Sequence, residues 1–166
     1  MPTAGRPVGI GLTVCLALAA GPAAAAEPEP EPGYGWMANS GQITAALVYG
    51  STETAEDYAF ALSCNNKRKL SHLTVYEDIA GAKVGEPLTI EIGVGSAKVE
   101  IKGKTATDEM SGYIFGEAKK FAVRPVIAAL QGPGPAVIKM SKVTMTLPEK
   151  GRAEAVSQFA KACKLD

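Results

Sequence analysis

The chain of 166 residues is predicted to be mainly β, an antiparallel β-sandwich of about eight strands. A short internal helix and a C-terminal amphipathic helix are expected to pack on it. Two observations support this prediction. Apolar residues alternate with polar or small ones through most of the chain, which is typical of strands that bury one face. The period becomes helical near the C-terminus, after Pro148.

The first 26 residues have the pattern of a secretory signal peptide. Arg6 supplies a positive charge, residues 8–20 are apolar, and Ala24-Ala25-Ala26 is a sequence that signal peptidase accepts. We therefore expect cleavage after Ala26 and a periplasmic or extracellular chain that has no membrane span. An uncleaved anchor is the alternative, because residues 8–26 approach the roughly 20 that cross a bilayer. Pro22 interrupts that segment and favours cleavage.

Residues 27–35 are predicted to be a Glu/Pro-rich linker, and residues 36–166 a single β-sandwich domain with its C-terminal helix. The prolines favour an extended conformation and the glutamates repel one another, so a short solvated spacer is expected. From Gly33 onward there are 16 Lys and Arg against 14 Asp and Glu. This near balance argues against nucleic acid as a partner.

The clearest strand covers residues 58–64, where the odd positions are small or polar and the even positions are bulky or Cys64. An earlier strand is expected over residues 43–49. After the polar turn Asn65–Lys69, residues 70–76 alternate again, with His72 on the face opposite the core side chains. Cys64 thus lies on a face that is predicted to point inward.

The second half of the chain predicts two hairpins and a short helix. Residues 88–102 form the first hairpin, turning at Gly93–Ser96, and residues 113–118 follow as a strand. Pro125–Gln131 is a short helix, because proline suits its first turn. The alternation then changes phase within residues 136–147, which indicates a second hairpin that turns at Ser141-Lys142.

The last predicted element is an amphipathic helix from about Arg152 to Lys164, whose apolar stripe includes Phe159 and Cys163. Cys15 leaves with the signal peptide, so Cys64 and Cys163 remain as a pair in an oxidising compartment. An even count there predicts a disulfide, with two buried free thiols as the alternative. Both cysteines lie on inward faces, which favours the bond.

No catalytic, cofactor or metal site is predicted. His72 is the only histidine, and a triad also needs a nucleophile and an orienting carboxylate. A zinc site needs several Cys and His ligands at fixed spacing. The glycine pair Gly93-x-Gly95 joins two strands, whereas a nucleotide-binding loop joins a strand to a helix. The chain is therefore predicted not to be an enzyme.

Two features could form a contact surface. The turn residues Lys67, Arg68 and Lys69 could bind an anion, although such a turn more often serves solubility. Lys119, Lys120 and Arg124 form a second small basic cluster with the same interpretation. Trp36 would be a contact residue if exposed, but we expect it to seal one end of the sandwich.

Two segments carry a resemblance to a known family. Met145–Ala155 runs from a strand through glycine into an alanine-rich helix, and Leu47–Gly50 precedes the strand that contains Cys64. The chain here resembles small exported bacterial proteins of the invasion-associated locus B type and related envelope proteins. That resemblance implies a secreted, non-enzymatic, β-rich domain.

We therefore expect an exported, non-enzymatic binding or accessory protein of the bacterial cell envelope, whose partner is an unknown protein or envelope component. One alternative is a carrier for a small apolar ligand held between sheet and helices, with Phe60, Phe115 and Phe159 as candidate walls. A hydrolase that uses His72 is the least favoured alternative.

Overall fold

A computed structural model describes residues 28–54 and 57–164. The predicted signal peptide, with its cleavage site after Ala26, lies outside these residues. Within them the chain forms nine strands and two helices. These are β1 (Tyr34–Ser40), β2 (Thr44–Ser51), β3 (Tyr58–Asn65), β4 (Leu70–Val75), β5 (Pro87–Val94), β6 (Ala97–Thr107), β7 (Ile114–Lys119), α1 (Val123–Leu130), β8 (Ala136–Met140), β9 (Val143–Leu147) and α2 (Arg152–Ala162).

All nine strands belong to a single antiparallel sheet, in the order β1-β2-β3-β4-β7-β6-β5-β8-β9. The sheet curls into a half-barrel. The prediction of a mainly β, antiparallel fold with two helices is confirmed, whereas two stacked sheets of about eight strands are not observed. Alternation shows that each strand buries one face, but it does not show whether a second sheet or a helix covers that face.

The additional strand is β1, which begins at Tyr34 and so overlaps the end of the predicted linker. Its apolar alternation is short and includes the small residues Gly35 and Ala38, so the sequence pattern did not predict a strand there. Both predicted hairpins are confirmed by β5–β6 and β8–β9 pairing. α1 begins at Val123, two residues before the predicted start at Pro125. Proline fits there because first-turn N–H groups have no partner within the helix.

The core lies between the concave face of the sheet and the two helices. α2 packs on β1 and β2, α1 packs on β5 and β6, and the helices touch each other. Fully buried side chains include Leu47, Phe60, Leu62, Leu73, Ile90, Ile92, Leu130, Ile138, Val156 and Phe159. In the described residues, neither helix has the length and apolar character needed to cross a membrane.

The predicted disulfide is present between Cys64 of β3 and Cys163, the residue that follows α2. Their Cα atoms are 6.0 Å apart, and both side chains are buried. Next to this bond, the Asn66 side-chain amide donates to the carbonyl oxygen of Ala162 at 2.8 Å. The end of the last helix is thus tied to the third strand by a covalent bond and a hydrogen bond.

Arg152 is a fully buried charge at the start of α2. Its Nε donates to the Leu130 carbonyl at 2.9 Å. Its Nη2 donates to the carbonyls of Gly132 and Gly134, both at 2.7 Å. Arg152 therefore connects α2 to the segment between α1 and β8, where turn geometry leaves carbonyl oxygens without strand partners.

Trp36 of β1 is in the core, with 8% of its surface exposed. Its ring lies 5.3 Å from that of Tyr49 and 5.6 Å from that of Phe60, centroid to centroid. Its Nε1 donates to the Pro148 carbonyl oxygen at 2.7 Å. The side chain packs in the core and is not an exposed contact residue, because β1 is a full strand that carries it onto the concave face.

Candidate contact surface

The structure brings together two basic clusters that are about 50 residues apart in sequence. Because β4 pairs with both β3 and β7, the β3–β4 turn lies beside the β7–α1 connection. The Lys120 N–H donates to the Ser71 carbonyl at 2.9 Å. Ser71 Oγ donates to the Phe121 carbonyl at 2.7 Å and accepts from its N–H at 2.8 Å. We call the resulting surface the basic end; it consists of Lys67, Arg68, Lys69, Lys119, Lys120 and Arg124.

The backbone of the basic end is well defined by local bonds. The Arg68 N–H donates to Asn65 Oδ1 at 2.9 Å, which closes the turn. Lys69 and Lys120 have φ values of 50° and 61°, in the left-handed region. In the described residues of the β3–β4 turn, the β7–α1 connection and the β1–β2 turn, there is no Asp or Glu. The charges of Lys67, Arg68, Lys69 and Lys120 therefore have no acidic neighbour among the described residues of the turns that carry them.

Two open cavities flank the β3–β4 turn, and Leu70, 37% exposed, lines both. The outer cavity, about 670 Å³, lies on the convex face of the sheet and is bordered by Lys119 and Lys120. The inner cavity, about 490 Å³, lies toward the helices and is bordered by Lys69 and Arg124. Each cavity combines apolar atoms with a cationic rim, an arrangement that suits a ligand with both apolar and anionic parts.

Glu117 of β7 is a carboxylate close to the outer cavity, and two lysines and a histidine lie around it. It is 8% exposed, and its carboxylate oxygens lie 2.9 Å from Lys119 Nζ, 3.5 Å from Lys104 Nζ and 3.3 Å from His72 Nε2. Burial acts to raise the pKa of Glu117, but hydrogen bonds from Lys119 and His72 and the charge of Lys104 outweigh it, so the pKa lies below its ordinary value. The local charge stays positive, because one carboxylate faces two lysines.

His72 has neighbours that the sequence did not reveal. Pairing of β3 with β4 sets Ser63 opposite His72, and both line the outer cavity. The Ser63 hydroxyl on β3, the His72 imidazole on β4 and the Glu117 carboxylate on β7 thus lie in a row across three neighbouring strands. However, two lysines share the carboxylate, and β3 and β4 are internal strands whose N–H groups bond to neighbouring strands. The N–H groups of β3 and β4 are thus taken up by the sheet.

The three phenylalanines proposed as walls of a ligand site do not lie together. Phe60 and Phe159 are fully buried in the packed core. Phe115 points to the convex face, since a Cβ on its neighbour Gly116 would meet Met140 and Leu88 on the core side. The Phe115 ring instead lies 5.0 Å from that of Tyr76. Phe115 is therefore not a wall between sheet and helices.

In the part of the chain that the structure describes, no group of three or more His, Cys, Asp or Glu side chains could hold a metal ion. No family model, curated protein or solved structure matches the chain.

Proposed function

We propose that the protein is an exported, non-enzymatic binding module of the bacterial cell envelope that contacts an anionic partner through the basic end. The observation that carries the proposal is the convergence of two basic turns around two open cavities, with no acidic residue in the described residues of those turns. Export is supported by the signal-peptide pattern of residues 1–26 and by the resemblance to exported proteins of the invasion-associated locus B type.

Electrostatics and rigidity both favour binding at this surface. Clustered charges of one sign speed the approach of an oppositely charged partner, and this effect weakens as salt rises. The Ser71 bridge, the Asn65 turn and the Cys64–Cys163 bond hold the backbone of the basic end in place. A preformed surface loses less conformational entropy on binding than a flexible one.

Co-sedimentation with purified envelope fractions of the producing host, at low and high NaCl, tests the proposal. The variant K67Q/R68Q/K69Q removes three charges from the basic end. The matched control K98Q/K102Q/K139Q removes three charges from the convex face elsewhere, where Lys98 and Lys139 contact Glu91 and Lys102 contacts Thr89. We expect binding to fall about tenfold in the first variant and less than about twofold in the control. Equal binding by both variants, or none by the wild type, would contradict the proposal.

A hydrolase centred on His72 is a second candidate, favoured only by the alignment of Ser63, His72 and Glu117. Assays of the wild type with ester, amide and glycoside substrates, beside S63A and H72A, distinguish the two functions. We expect the three proteins to give the same background rate. Turnover by the wild type that both substitutions abolish would replace the binding module with an enzyme.

A further inference from the structure

The end of the sheet opposite the basic end is acidic. It consists of the β2–β3, β4–β5 and β6–β7 loops, which meet because antiparallel pairing brings these strand ends together. We call this surface the acidic end. In its described residues the charged side chains are Glu53, Asp57, Glu77, Asp78, Lys83, Glu86, Asp108 and Glu109. Although the net charge of the chain is zero, one end of the sheet is thus basic and the other is acidic.

A rigid turn projects an apolar side chain from the acidic end. Asp108 Oδ1 accepts from the N–H groups of Met110 and Ser111, both at 2.8 Å. The Gly112 N–H donates to the Asp108 carbonyl at 2.9 Å. Although the backbone is held by these bonds, Met110 is 99% exposed. Hydrogen bonds from the Ser111 N–H, the Tyr76 hydroxyl and the Met110 N–H lower the pKa of Asp108, so it stays charged at neutral pH.

Met110 does not stand alone as an exposed apolar residue. Tyr113, at the end of the same turn, is 51% exposed. Its ring lies 6.3 Å from that of Tyr76, which in turn lies 5.0 Å from Phe115. Met110, the aromatic rings and the carboxylates of Asp108 and Glu109 thus lie on the same turn and on the strands next to it. Such a combination marks a contact site more strongly than a single exposed side chain does.

The basic end offers the complementary features. The outer cavity has a volume of about 670 Å³ and a lining that includes the apolar residues Leu70 and Ala46 and the cations Lys119 and Lys120. A six-residue turn with a methionine at its tip is of a size that such a cavity can accept. Carboxylates beside Met110 would then face the lysines of the rim. Both polarity and charge therefore match between the two ends of the molecule.

We propose that the Asp108–Tyr113 turn of one copy docks into the outer cavity of a second copy. The two surfaces differ and lie at opposite ends of the sheet, so the contact is heterologous. Each added copy leaves one free acidic end and one free basic end, and copies therefore assemble head to tail. This inference rests on the proposed function, since it names a second copy of the chain as the partner of the basic end.

Sedimentation equilibrium of the mature, disulfide-bonded chain tests this, from about 10 µM to about 1 mM protein at low and high NaCl. We expect the average mass to rise with concentration beyond that of a dimer, and the association to weaken as salt screens the charges. The basic-end variant K67Q/R68Q/K120Q and the acidic-end variant E77Q/E109Q/M110S should each remain monomeric. The control K98Q/K102Q/K139Q should associate like the wild type.

An equimolar mixture of the two end variants is the decisive sample. Each variant keeps one intact end, so the mixture should form a complex with the mass of a dimer and nothing larger. A wild type that stays monomeric throughout, or a mixture that stays monomeric while the wild type associates, overturns head-to-tail assembly. If envelope binding through the basic end persists in that case, the proposed function stands; if binding is also absent, both fail.

Discussion

Removal of the Cys64–Cys163 bond should destabilise the protein by about 4–5 kcal/mol. The two cysteines are 99 residues apart, and cross-linking a loop of about 100 residues lowers the entropy of the unfolded chain by an amount worth about 4.7 kcal/mol at 25 °C. The substitutions C64A/C163A also leave small voids, because both side chains are buried, which adds about 1 kcal/mol. The total loss in C64A/C163A, about 5–6 kcal/mol, is comparable with the whole stability of many domains, about 5–15 kcal/mol.

Urea unfolding followed by circular dichroism measures this effect. The slope of the unfolding free energy against urea should increase in C64A/C163A, because an unfolded chain without the cross-link exposes more surface. Reduced wild type is the control, since it loses the bond without losing the sulfur atoms; its loss should be slightly smaller. A loss below about 1 kcal/mol with an unchanged slope would refute the entropic reasoning.

Three further substitutions test contacts described above. Arg152→Met should lower the free energy of unfolding by about 3–4 kcal/mol, because three carbonyl oxygens lose their donor and the one of Leu130 is buried. The control is Lys161→Met, at an exposed position of the same helix. Equal losses of stability in the two variants, measured by thermal unfolding, would contradict this prediction. Glu117→Gln should cost about 1 kcal/mol at pH 7. Because the pKa of Glu117 is lowered in the folded state, that difference should shrink as the pH falls below about 4; a difference that stays constant with pH would argue against the lysine contacts. Trp36→Phe should cost about 1–2 kcal/mol through loss of the Nε1 bond to Pro148, and an unchanged urea midpoint would show that this bond adds nothing.

Local patterns predicted the elements of the fold because burial on one face determines them. The even positions of β3, which include Cys64, point inward, and the apolar stripe of the C-terminal helix includes Cys163. The strand period and the helix period therefore each placed one cysteine on an inward face, and this predicted the disulfide. The sheet itself was not predictable in the same way. The alternation of apolar residues within a strand does not determine which other strand it pairs with. The β4–β7 pairing, for example, joins segments about 45 residues apart in sequence. A single curled sheet and a sandwich therefore give the same pattern along the chain.

The contact surface was predicted only in fragments for the same reason. The Lys67–Lys69 turn and the Lys119, Lys120 and Arg124 cluster were each visible in the sequence, but only strand pairing places them side by side. The net charge of the chain did not show that acidic and basic residues lie at opposite ends of the sheet, because a net charge contains no information about position. The neighbours of His72 were invisible for a similar reason: Glu117 lies 45 residues away.

The position of the disulfide also determines how the protein would respond to mechanical load. A pull between the N-terminal linker and the end of α2 travels along β1, β2 and β3 to Cys64 and then crosses the sulfur bridge to Cys163. Tension bypasses β4 to β9 and both helices. Even full extension of residues 33–64 would separate the two ends of that segment by only about 110 Å. Six of the nine strands, β4 to β9, therefore lie outside the covalent path that bears the force.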